Sequence, residues 1–472
     1  MLITSLYIVT RATVSYGQRP YTWLDMNLDH QTSTERSSRS WVELCRQMLE
    51  RDAQRARDQV GVRRAQALIT AVDRWADPRL EYRYAPRPIQ TRLGPLGHSL
   101  SLSQQLPWPG EVDATSSLAK VKMRQARSRV RHTSVNLVYA LEAGLWRLWA
   151  LKASRSVLTR QLDITQALIA HTKALAETDQ IGLSEVQRAQ LELLLRAEKI
   201  TQHHAREPEL RAQLGELLSL KGPLLDDPPL DLINGTLKLA RDSAALSEHL
   251  QRDETQARQG MSYPELELAQ LSVDVASIEH QRVVLAQKPR LKVGVQWSVI
   301  NEITQSSALQ DDVFSVQISS SLPIWRHADQ RARAASRLQI THQVHELKER
   351  EAQWRLALET LKIHLLEHAR HAQALDTQII PNAAALSRSR ARDHEVGRAS
   401  ILEVYRAKIK LAEFEHELIH TYRDFALSYA RWRSLTQTQE GANLDLKKSQ
   451  EESVTSLGLT TTHREERSDH VR

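Results

Sequence analysis

A ten-residue stretch of alternating polar and apolar residues occurs twice in this chain and indicates its fold. His98-Ser-Leu-Ser-Leu-Ser-Gln-Gln-Leu-Pro107 reappears 216 positions later as Phe314-Ser-Val-Gln-Ile-Ser-Ser-Ser-Leu-Pro323. In both copies polar and apolar side chains alternate, which is the pattern of a strand with one apolar and one polar face. A second alternating stretch precedes each copy, so the sequence predicts two strand pairs. The alternation alone leaves open whether these are surface hairpins of soluble domains.

Other short matches recur in the same order and at nearly the same offset. Asp77-Pro-Arg-Leu80 returns as Lys288-Pro-Arg-Leu291, and Glu185-Val-Gln-Arg-Ala189 returns as Glu403-Val-Tyr-Arg-Ala407. This order predicts a tandem duplication. We therefore divide the chain into a candidate signal segment, atypical or incomplete, at 1–17, a first repeat half at 18–222, a second repeat half at 223–436 and a disordered tail at 437–472.

Each half is predicted to contain a helix, a strand pair and a helical hairpin with a tight tip. In the first half the strands are expected at about 79–84 and 98–107, and the tip at about 179–184. In the second half the strands are expected at about 290–300 and 313–323, and the tip at about 395–400.

Long helices are expected between the strands and the tips. The chain holds only 15 Gly and 15 Pro among 472 residues, so it has few residues that end helices. Between Ile324 and Ile380 there is neither, and Leu347, Trp354 and Leu361 recur every seven positions. This heptad spacing predicts coiled-coil packing.

The composition excludes several classes of protein. The net charge is +7, but the basic residues are interleaved with acids, so no nucleic-acid partner is expected. Cys45 is the sole cysteine, which excludes an intramolecular disulfide. The sequence lacks a phosphate-binding glycine-rich loop and a Gly-x-Ser-x-Gly motif, so we expect no enzyme, no catalytic residue and no cofactor. No run of apolar residues is long enough for a transmembrane helix, whereas transmembrane strands leave a much weaker signal.

Four amphipathic strands joined to long helices favour a particular assembly. A sheet that spans a membrane must be closed, and the smallest barrels have about eight strands. One chain cannot close such a barrel, but three chains would supply twelve strands with their polar faces inward. The charged residues of the polar strand faces are then candidates for the barrel lumen: Arg79, Glu81, Arg83, Arg290 and Lys292.

Four local signatures stand in the order found in one known family. They are Gln105-Leu-Pro-Trp-Pro-Gly110, Tyr263-Pro-Glu-Leu266, Ser321-Leu-Pro-Ile324 and Ile380-Pro-Asn-Ala383. Over about Trp41 to Thr436 the chain resembles the TolC-like outer-membrane factor family, the exit ducts of Gram-negative tripartite efflux pumps and type I secretion systems. Within that family it is most similar to the CzcC-like heavy-metal RND efflux branch.

The resemblance implies a fold that is mainly α with a small β part, in which duplicated strand pairs and coiled-coil hairpins form a trimeric 12-stranded transmembrane β-barrel continued by a periplasmic α-barrel. It implies a homotrimer in the outer-membrane lipid of a Gram-negative cell. This duct would passively conduct substrates, including heavy-metal cations, that an inner-membrane RND-type pump exports through a periplasmic membrane-fusion (adaptor) protein. The alternative is a soluble coiled-coil scaffold or interaction protein without transport activity.

The resemblance also implies two sites near the hairpin tips. The family's tips dock the adaptor, and the matching residues are Ile181, Gly182, Leu183, Ser184, Val396, Gly397, Arg398, Ala399 and Ser400. The first tip departs from the pattern, since three residues separate its glycine from the shared Glu-Val and six do so in the second. The family narrows just past the tips, which makes Glu403, Arg406, Glu185 and Arg188 gate candidates. Three Glu403 carboxylates in a ring would repel each other unless cations or Arg406 compensate, and ordinary helix ion pairs are the alternative reading.

The nineteen histidines raise the question of metal binding. His364, His368 and His371 share one helix face, and His416 and His420 are also four residues apart. Neither group belongs to a known metal motif, and His368 lies on the apolar heptad stripe. The sequence therefore favours packed or solvated histidines over a transition-metal site.

Overall fold

The structure is a computed structural model that describes residues 40–436 except 92–93, 179–181, 219–228, 261–262, 301–311, 323 and 325. The candidate signal segment at 1–17, the tail at 437–472 and the tip residue Ile181 lie outside the described residues. The described residues form long helices and one antiparallel sheet. None of these helices is long and apolar enough to cross a membrane.

Both halves of the chain run from shorter helices through a strand pair to long helices. The first half forms α1 (Trp41–Arg51), α2 (Ala53–Val72), β1 (Arg79–Thr91), β2 (Gly94–Leu106), α3 (Glu111–Glu177) and α4 (Leu183–Leu218). The second half forms α5 (Leu230–Arg241), α6 (Ser243–Gly260), α7 (Pro264–Ala286), β3 (Leu291–Ile300), β4 (Val313–Ser320), α8 (Arg326–Ala374), a π-helical turn (Leu375–Ile379), α9 (Ile380–Glu395) and α10 (Ile401–Thr436).

The strand bounds differ from the predicted ones in two places. β1 continues to Thr91 and β2 begins at Gly94, so this hairpin is longer than predicted, while β4 ends at Ser320 and is shorter. The alternation in β1 breaks at Pro86 and Pro88, where the register with β2 shifts between Tyr84 and Ile89. Proline cannot donate a ladder hydrogen bond and is tolerated at bulges and on edge strands, and β1 is an edge strand.

The long helices continue through several residues that usually break helices. α3 passes through Gly144, and α4 passes through Pro208 and Gly215. At Gly144 the glycine allows a close approach of α4, because an added Cβ would lie 2.6 Å from a methyl group of Leu214. The predicted uninterrupted helix before Ile380 instead contains the π-helical turn. Its wider winding precedes Pro381, whose ring would clash with a carbonyl one turn earlier.

The chain divides into two compact units, and each unit takes segments from both halves of the sequence. Unit 1 comprises Met1–Asp52, Val135–Gln259 and Ala357–Arg472. Unit 2 comprises Ala53–Ser134 and Gly260–Leu356 and contains the sheet. The largest fully buried side chains of unit 1 are aromatic: Trp146, Trp432, Tyr422 and Phe425.

Candidate functional site

The sheet of unit 2 exposes its apolar face and covers part of its polar face. Leu80, Phe314 and Ile318 are 66%, 68% and 76% exposed, whereas Ser99 and Ser298 are only 7% and 4% exposed. Soluble antiparallel sheets place their apolar face on the core and their polar face in water. This sheet has the reverse arrangement.

The register makes the exposed apolar face continuous across all four strands. The strand order is β1-β2-β3-β4, and each neighbouring pair is antiparallel. One row across the sheet is Leu80, Leu102, Val295 and Val316, and the next is Tyr82, Leu100, Trp297 and Phe314. A contiguous apolar surface of this kind marks contact with another apolar surface or with lipid.

The opposite face carries most of the lumen candidates. Arg79, Glu81 and Arg83 alternate along β1 with the apolar row, and Glu81 and Arg83 form an ion pair of 3.0 Å. Lys292 lies on the same face of β3, paired in register with Gln105 and Ser319. Arg290 lies just before β3, and its backbone N–H donates to the Ser321 hydroxyl at 2.8 Å. The charged side chains therefore lie with the serines on the face of the sheet opposite the apolar rows.

The sheet is open at both edges. β1 and β4 are its outermost strands among the described residues, and each is paired on one side within the chain. An unpaired edge presents backbone N–H and C=O groups that can pair with another chain.

A compact turn joins β2 to α3. Gly110 has φ of +87°, a left-handed conformation that favours glycine. The Trp108 backbone N–H donates to the Glu111 carboxylate at 3.1 Å, and the Trp108 indole N–H donates to the Pro289 carbonyl at 2.5 Å. Lys288 lies 5.3 Å from the centre of the Trp108 ring. The Gln105–Gly110 signature thus fastens the start of α3 to the segment that leads into β3.

The second tip, in unit 1, is a tight turn between α9 and α10. Gly397 has φ of +72°, and its N–H donates to the His394 carbonyl at 2.9 Å. The Arg398 N–H donates to the Asp393 carbonyl at 2.7 Å, which completes the end of α9. The Ser400 hydroxyl accepts from the Leu402 N–H at 3.3 Å and caps the start of α10. These bonds leave Val396 exposed at the turn.

The first tip lies between α3, which ends at Glu177, and α4, which begins at Leu183. Gly182 accepts a hydrogen bond at its carbonyl from the Glu185 N–H at 3.1 Å. Leu183 is exposed there, as Val396 is at the second tip. Each tip therefore presents an apolar side chain to its surroundings.

Ion pairs involve the gate candidates just past the tips. The sequence suggests that Arg406 compensates Glu403, but the structure pairs them with other residues. Arg406 contacts Glu185 at 2.9 Å, and Arg188 lies 3.8 Å from the same carboxylate. Glu403 is instead paired with Arg390 of α9 at 3.1 Å. Sequence reasoning missed Arg390, although Arg390 and Glu403 are equally far from the centre of the turn and an antiparallel hairpin places such residues side by side.

A small apolar cluster lies next to these ion pairs. Its buried members are Leu168 and Ile169 of α3, Ala189 of α4 and Ile409 of α10. Ile164, Leu193, Leu402 and Tyr405 pack against it. The cluster and the pair between Arg406 and Glu185 hold the two hairpins of unit 1 together.

The histidines that share the face of α8 do not converge on one point. The rings of His364 and His368 have centres 6.2 Å apart, and His371 contacts Glu417 at 3.0 Å. Burial lowers the pKa of His368. Among the described residues, no group of three or more His, Cys, Asp or Glu side chains is placed to hold a metal ion.

Solved structures share this fold, and three of them are described as membrane channels. CusC, described in terms of transmembrane channel formation, matches with a TM-score of 0.61 and 13% identity over 85% of this chain and 92% of its own. The outer-membrane channel OprN matches with a TM-score of 0.60 and 16% identity over 85% and 90%. The Campylobacter jejuni CmeC outer membrane channel matches with a TM-score of 0.60 and 11% identity over 87% and 89%.

No protein-family model and no curated protein matches the sequence. Because the sequence identities are only 11–16%, the likeness to these structures shows the fold alone. The predicted fold class, mainly α with a small antiparallel sheet, is confirmed, and it is shared with outer-membrane channels such as OprN and CmeC.

Proposed function

We propose that this chain is the outer-membrane exit duct of a tripartite efflux system in a Gram-negative cell. The observation that carries the proposal is the reversed sheet, whose apolar face is exposed and whose polar face holds buried serines and charged residues. In lipid the exposed apolar face is the stable arrangement, and in water it is costly. The reversed sheet disfavours the alternative of a soluble coiled-coil scaffold.

The open edges support a homotrimer. A four-stranded sheet leaves two edges unpaired, and unpaired backbone groups in lipid cost several kcal/mol each. Pairing β1 of one copy with β4 of the next would satisfy these groups, and three copies would supply twelve strands. Arg79, Glu81, Arg83, Arg290 and Lys292 would then border the aqueous lumen.

The tips are proposed as the docking surface for a periplasmic adaptor. Their exposed apolar residues, Leu183 and Val396, would bury surface on binding. Gly182 and Ser184 belong to the first tip, and Gly397, Arg398, Ala399 and Ser400 belong to the second. An adaptor that binds both tips would be coupled to an inner-membrane RND-type pump, since the chain carries no signature of an energy-converting enzyme.

The ion pairs past the tips are proposed as the closing contacts of the duct. Arg406 with Glu185 joins the two hairpins, and Arg390 with Glu403 braces the second one. These side chains are partly exposed, so each pair contributes only about 0.2–1 kcal/mol and can be exchanged during opening. Arg188 adds a second cation beside Glu185.

Heavy-metal cations are the proposed cargo class. This assignment rests on the Gln105–Gly110 signature and on the Tyr263–Leu266 and Ser321–Ile324 segments, which resemble the CzcC-like branch. The duct itself would be passive, and the pump would select the cargo.

Membrane fractionation followed by conductance in planar bilayers tests the duct. We expect the full chain in the outer-membrane fraction, with detergent needed to extract it, and a stable conductance from the purified trimer. Recovery in the detergent-free soluble fraction would contradict the proposal and favour the scaffold. A membrane-bound trimer without conductance would contradict the channel function, although the exposed apolar face of the sheet could still meet lipid.

A further inference from the structure

A groove in unit 1 holds two histidines that the proposed duct does not use. It lies among α3, α4 and α10 and has a volume of about 460 Å³. Its lining includes Leu158 and Gln161 of α3, Glu192 of α4, and Glu413, His416 and His420 of α10. The groove is large enough to admit several water molecules beside the two imidazoles.

His416 and His420 point their outer ring nitrogens at each other. They are four residues apart on α10, so they project from the same helix face. Their Nε2 atoms are 3.2 Å apart, and their ring centres are 4.4 Å apart with an angle of 69° between the planes. The two Nε2 atoms are within hydrogen-bonding distance, so that one ring can donate its Nε2–H to the other.

This spacing matches that of two ligands on one metal ion. Imidazole nitrogens lie about 2.0–2.1 Å from zinc, which puts two such nitrogens about 2.9–3.4 Å apart for angles between square and tetrahedral. We propose that His416 and His420 bind one divalent transition-metal ion through their Nε2 atoms, with water completing its coordination. Among such ions Cu²⁺ should bind most tightly at nitrogen ligands.

Metal binding requires neutral imidazoles, and the lowered pKa of each ring favours that form. Burial lowers the pKa of His416 to about 4, with smaller contributions from His420, His203, Lys199 and Arg423. Burial also lowers the pKa of His420, as do Arg423 and His203, while Asp424 opposes the shift. On binding, the ring that donates its Nε2–H would move that proton to Nδ1, so no net proton is released.

The charges around the groove are of both signs. Lys199 and Arg196 of α4 line it together with the carboxylates of Glu192, Glu413 and Glu417. Glu192 pairs with Arg196 at 3.0 Å, and Glu417 contacts His371 at 3.0 Å. Glu413 pairs with Lys410 at 3.1 Å. The groove thus holds acids as well as cations, but the charges that act on His416 are positive, because Lys199 and Arg423 both lower its pKa.

The chain supplies its own control at the same sequence spacing. His364 and His368 are also four residues apart on a helix, but their ring centres are 6.2 Å apart. The two pairs therefore differ in side-chain geometry and not in spacing along the helix. The two histidine pairs have the same sequence spacing, but only the rings of His416 and His420 lie close together.

Cu²⁺ titration of the full chain in detergent, followed by electron paramagnetic resonance, tests the proposal. Compared with wild type, the double variant His416→Gln, His420→Gln should lose one bound Cu²⁺ per chain or bind it at least tenfold more weakly, since loss of even a supporting residue costs about 10–100-fold. The double variant His364→Gln, His368→Gln should keep the site. Unchanged Cu²⁺ binding in the His416, His420 variant, or an equal loss in both variants, would overturn the proposal. The contact between His416 and His420 would then be only a hydrogen bond between two imidazoles.

A measurement on the wild-type sequence removes any dependence on how the variants fold. Chains carrying ¹⁵N-histidine should change the nitrogen splitting of the bound Cu²⁺ signal in the manner of two equivalent ligands. Splitting from fewer than two histidine nitrogens would overturn the assignment. Neither readout requires conductance, so a failure here is separate from a failure of the proposed duct.

Discussion

The two units place their large aromatic residues in opposite ways. In unit 1, Trp432 is 0% exposed, and its indole N–H donates to Asp253 at 3.2 Å. In unit 2, Trp297 is 47% exposed on the apolar face of the sheet. Unit 1 thus follows the rule for proteins folded in water, whereas the sheet of unit 2 follows the rule for a surface that meets lipid. Substitutions on the two kinds of surface test this contrast.

Truncating the buried tryptophan should have the largest effect on stability. Trp432→Ala removes a fully buried ring and leaves a cavity, which typically costs about 3–5 kcal/mol of unfolding free energy. Trp297→Ala is the matched control, and it should cost less than about 1 kcal/mol because its half-exposed ring would face detergent or lipid on one side. Denaturant unfolding of the detergent-solubilised protein, followed by helical circular dichroism, measures both. Equal losses of unfolding free energy at Trp432 and Trp297 would contradict the difference between the two units.

A charge on the apolar strand face should impair membrane assembly. Ile318→Lys places an ammonium where lipid is expected, at a cost of about 2–4 kcal/mol near the bilayer centre. Gln317→Lys is the adjacent control on the polar face, where it lies opposite Gly294 and a cation would meet water. We expect the yield of outer-membrane trimer to fall for the first variant and to stay near wild type for the second. Similar yields would contradict the assignment of the two faces.

Acid should destabilise unit 1 through the buried histidines. The folded pKa of His416 is about 4 against an ordinary value of 6.5, so the unfolded chain binds more protons between these two pH values. The stability that His416 contributes is therefore fully present above about pH 6.5 and is lost as the pH falls toward 4. His420 acts in the same direction. Thermal unfolding measured from pH 7.5 to 4.5 should show a shallower decline in the variant His416→Gln, His420→Gln, and equal slopes would contradict this.

The ion pairs past the tips should affect conduction far more than stability. Arg406→Gln removes the contact with Glu185 and should change the unfolding free energy by no more than about 1 kcal/mol, because the pair is exposed. The same change should raise the mean conductance of the trimer in a planar bilayer. Lys408→Gln on the same helix, outside these pairs, should leave the conductance unchanged. A conductance that responds equally to both substitutions would remove the proposed gate.

Glu403→Ala tests the acidic position of the gate in the same bilayers. We expect it to alter the block of conductance by divalent cations, since the substitution removes a carboxylate held by Arg390. An unaltered block would refute that role for Glu403.

The sequence predicts the strands and the long helices well where one residue pattern governs them. The alternation from Leu291 to Val299 places β3 to within one residue, because each apolar side chain falls on one face of the strand. The ends of β1 and β2 were predicted less well, since Pro86 and Pro88 interrupt the alternation while the edge position still allows pairing. The π-helical turn before Pro381 depends on backbone sterics that heptad counting does not include.

The site was less predictable because it depends on contacts between distant segments. The pairing of Arg406 with Glu185 and of Arg390 with Glu403 is set by how the hairpins pack, and spacing alone suggests other partners. The composition of each compact unit, with segments from both halves, also follows from tertiary packing. The difference between the histidine pairs on α8 and α10 lies in the separation of their rings, which sequence spacing does not specify.

Spin-label accessibility of the two sheet faces in membranes tests whether the apolar face meets lipid and the polar face meets water. A label at Ile318 and a label at Ser319 occupy adjacent positions on opposite faces, and the native Cys45 is buried and should not react. We expect the label at 318 to be relaxed by lipid-soluble oxygen and the label at 319 by a water-soluble nickel complex. Equal access of the nickel complex to both labels would contradict the lipid-facing sheet.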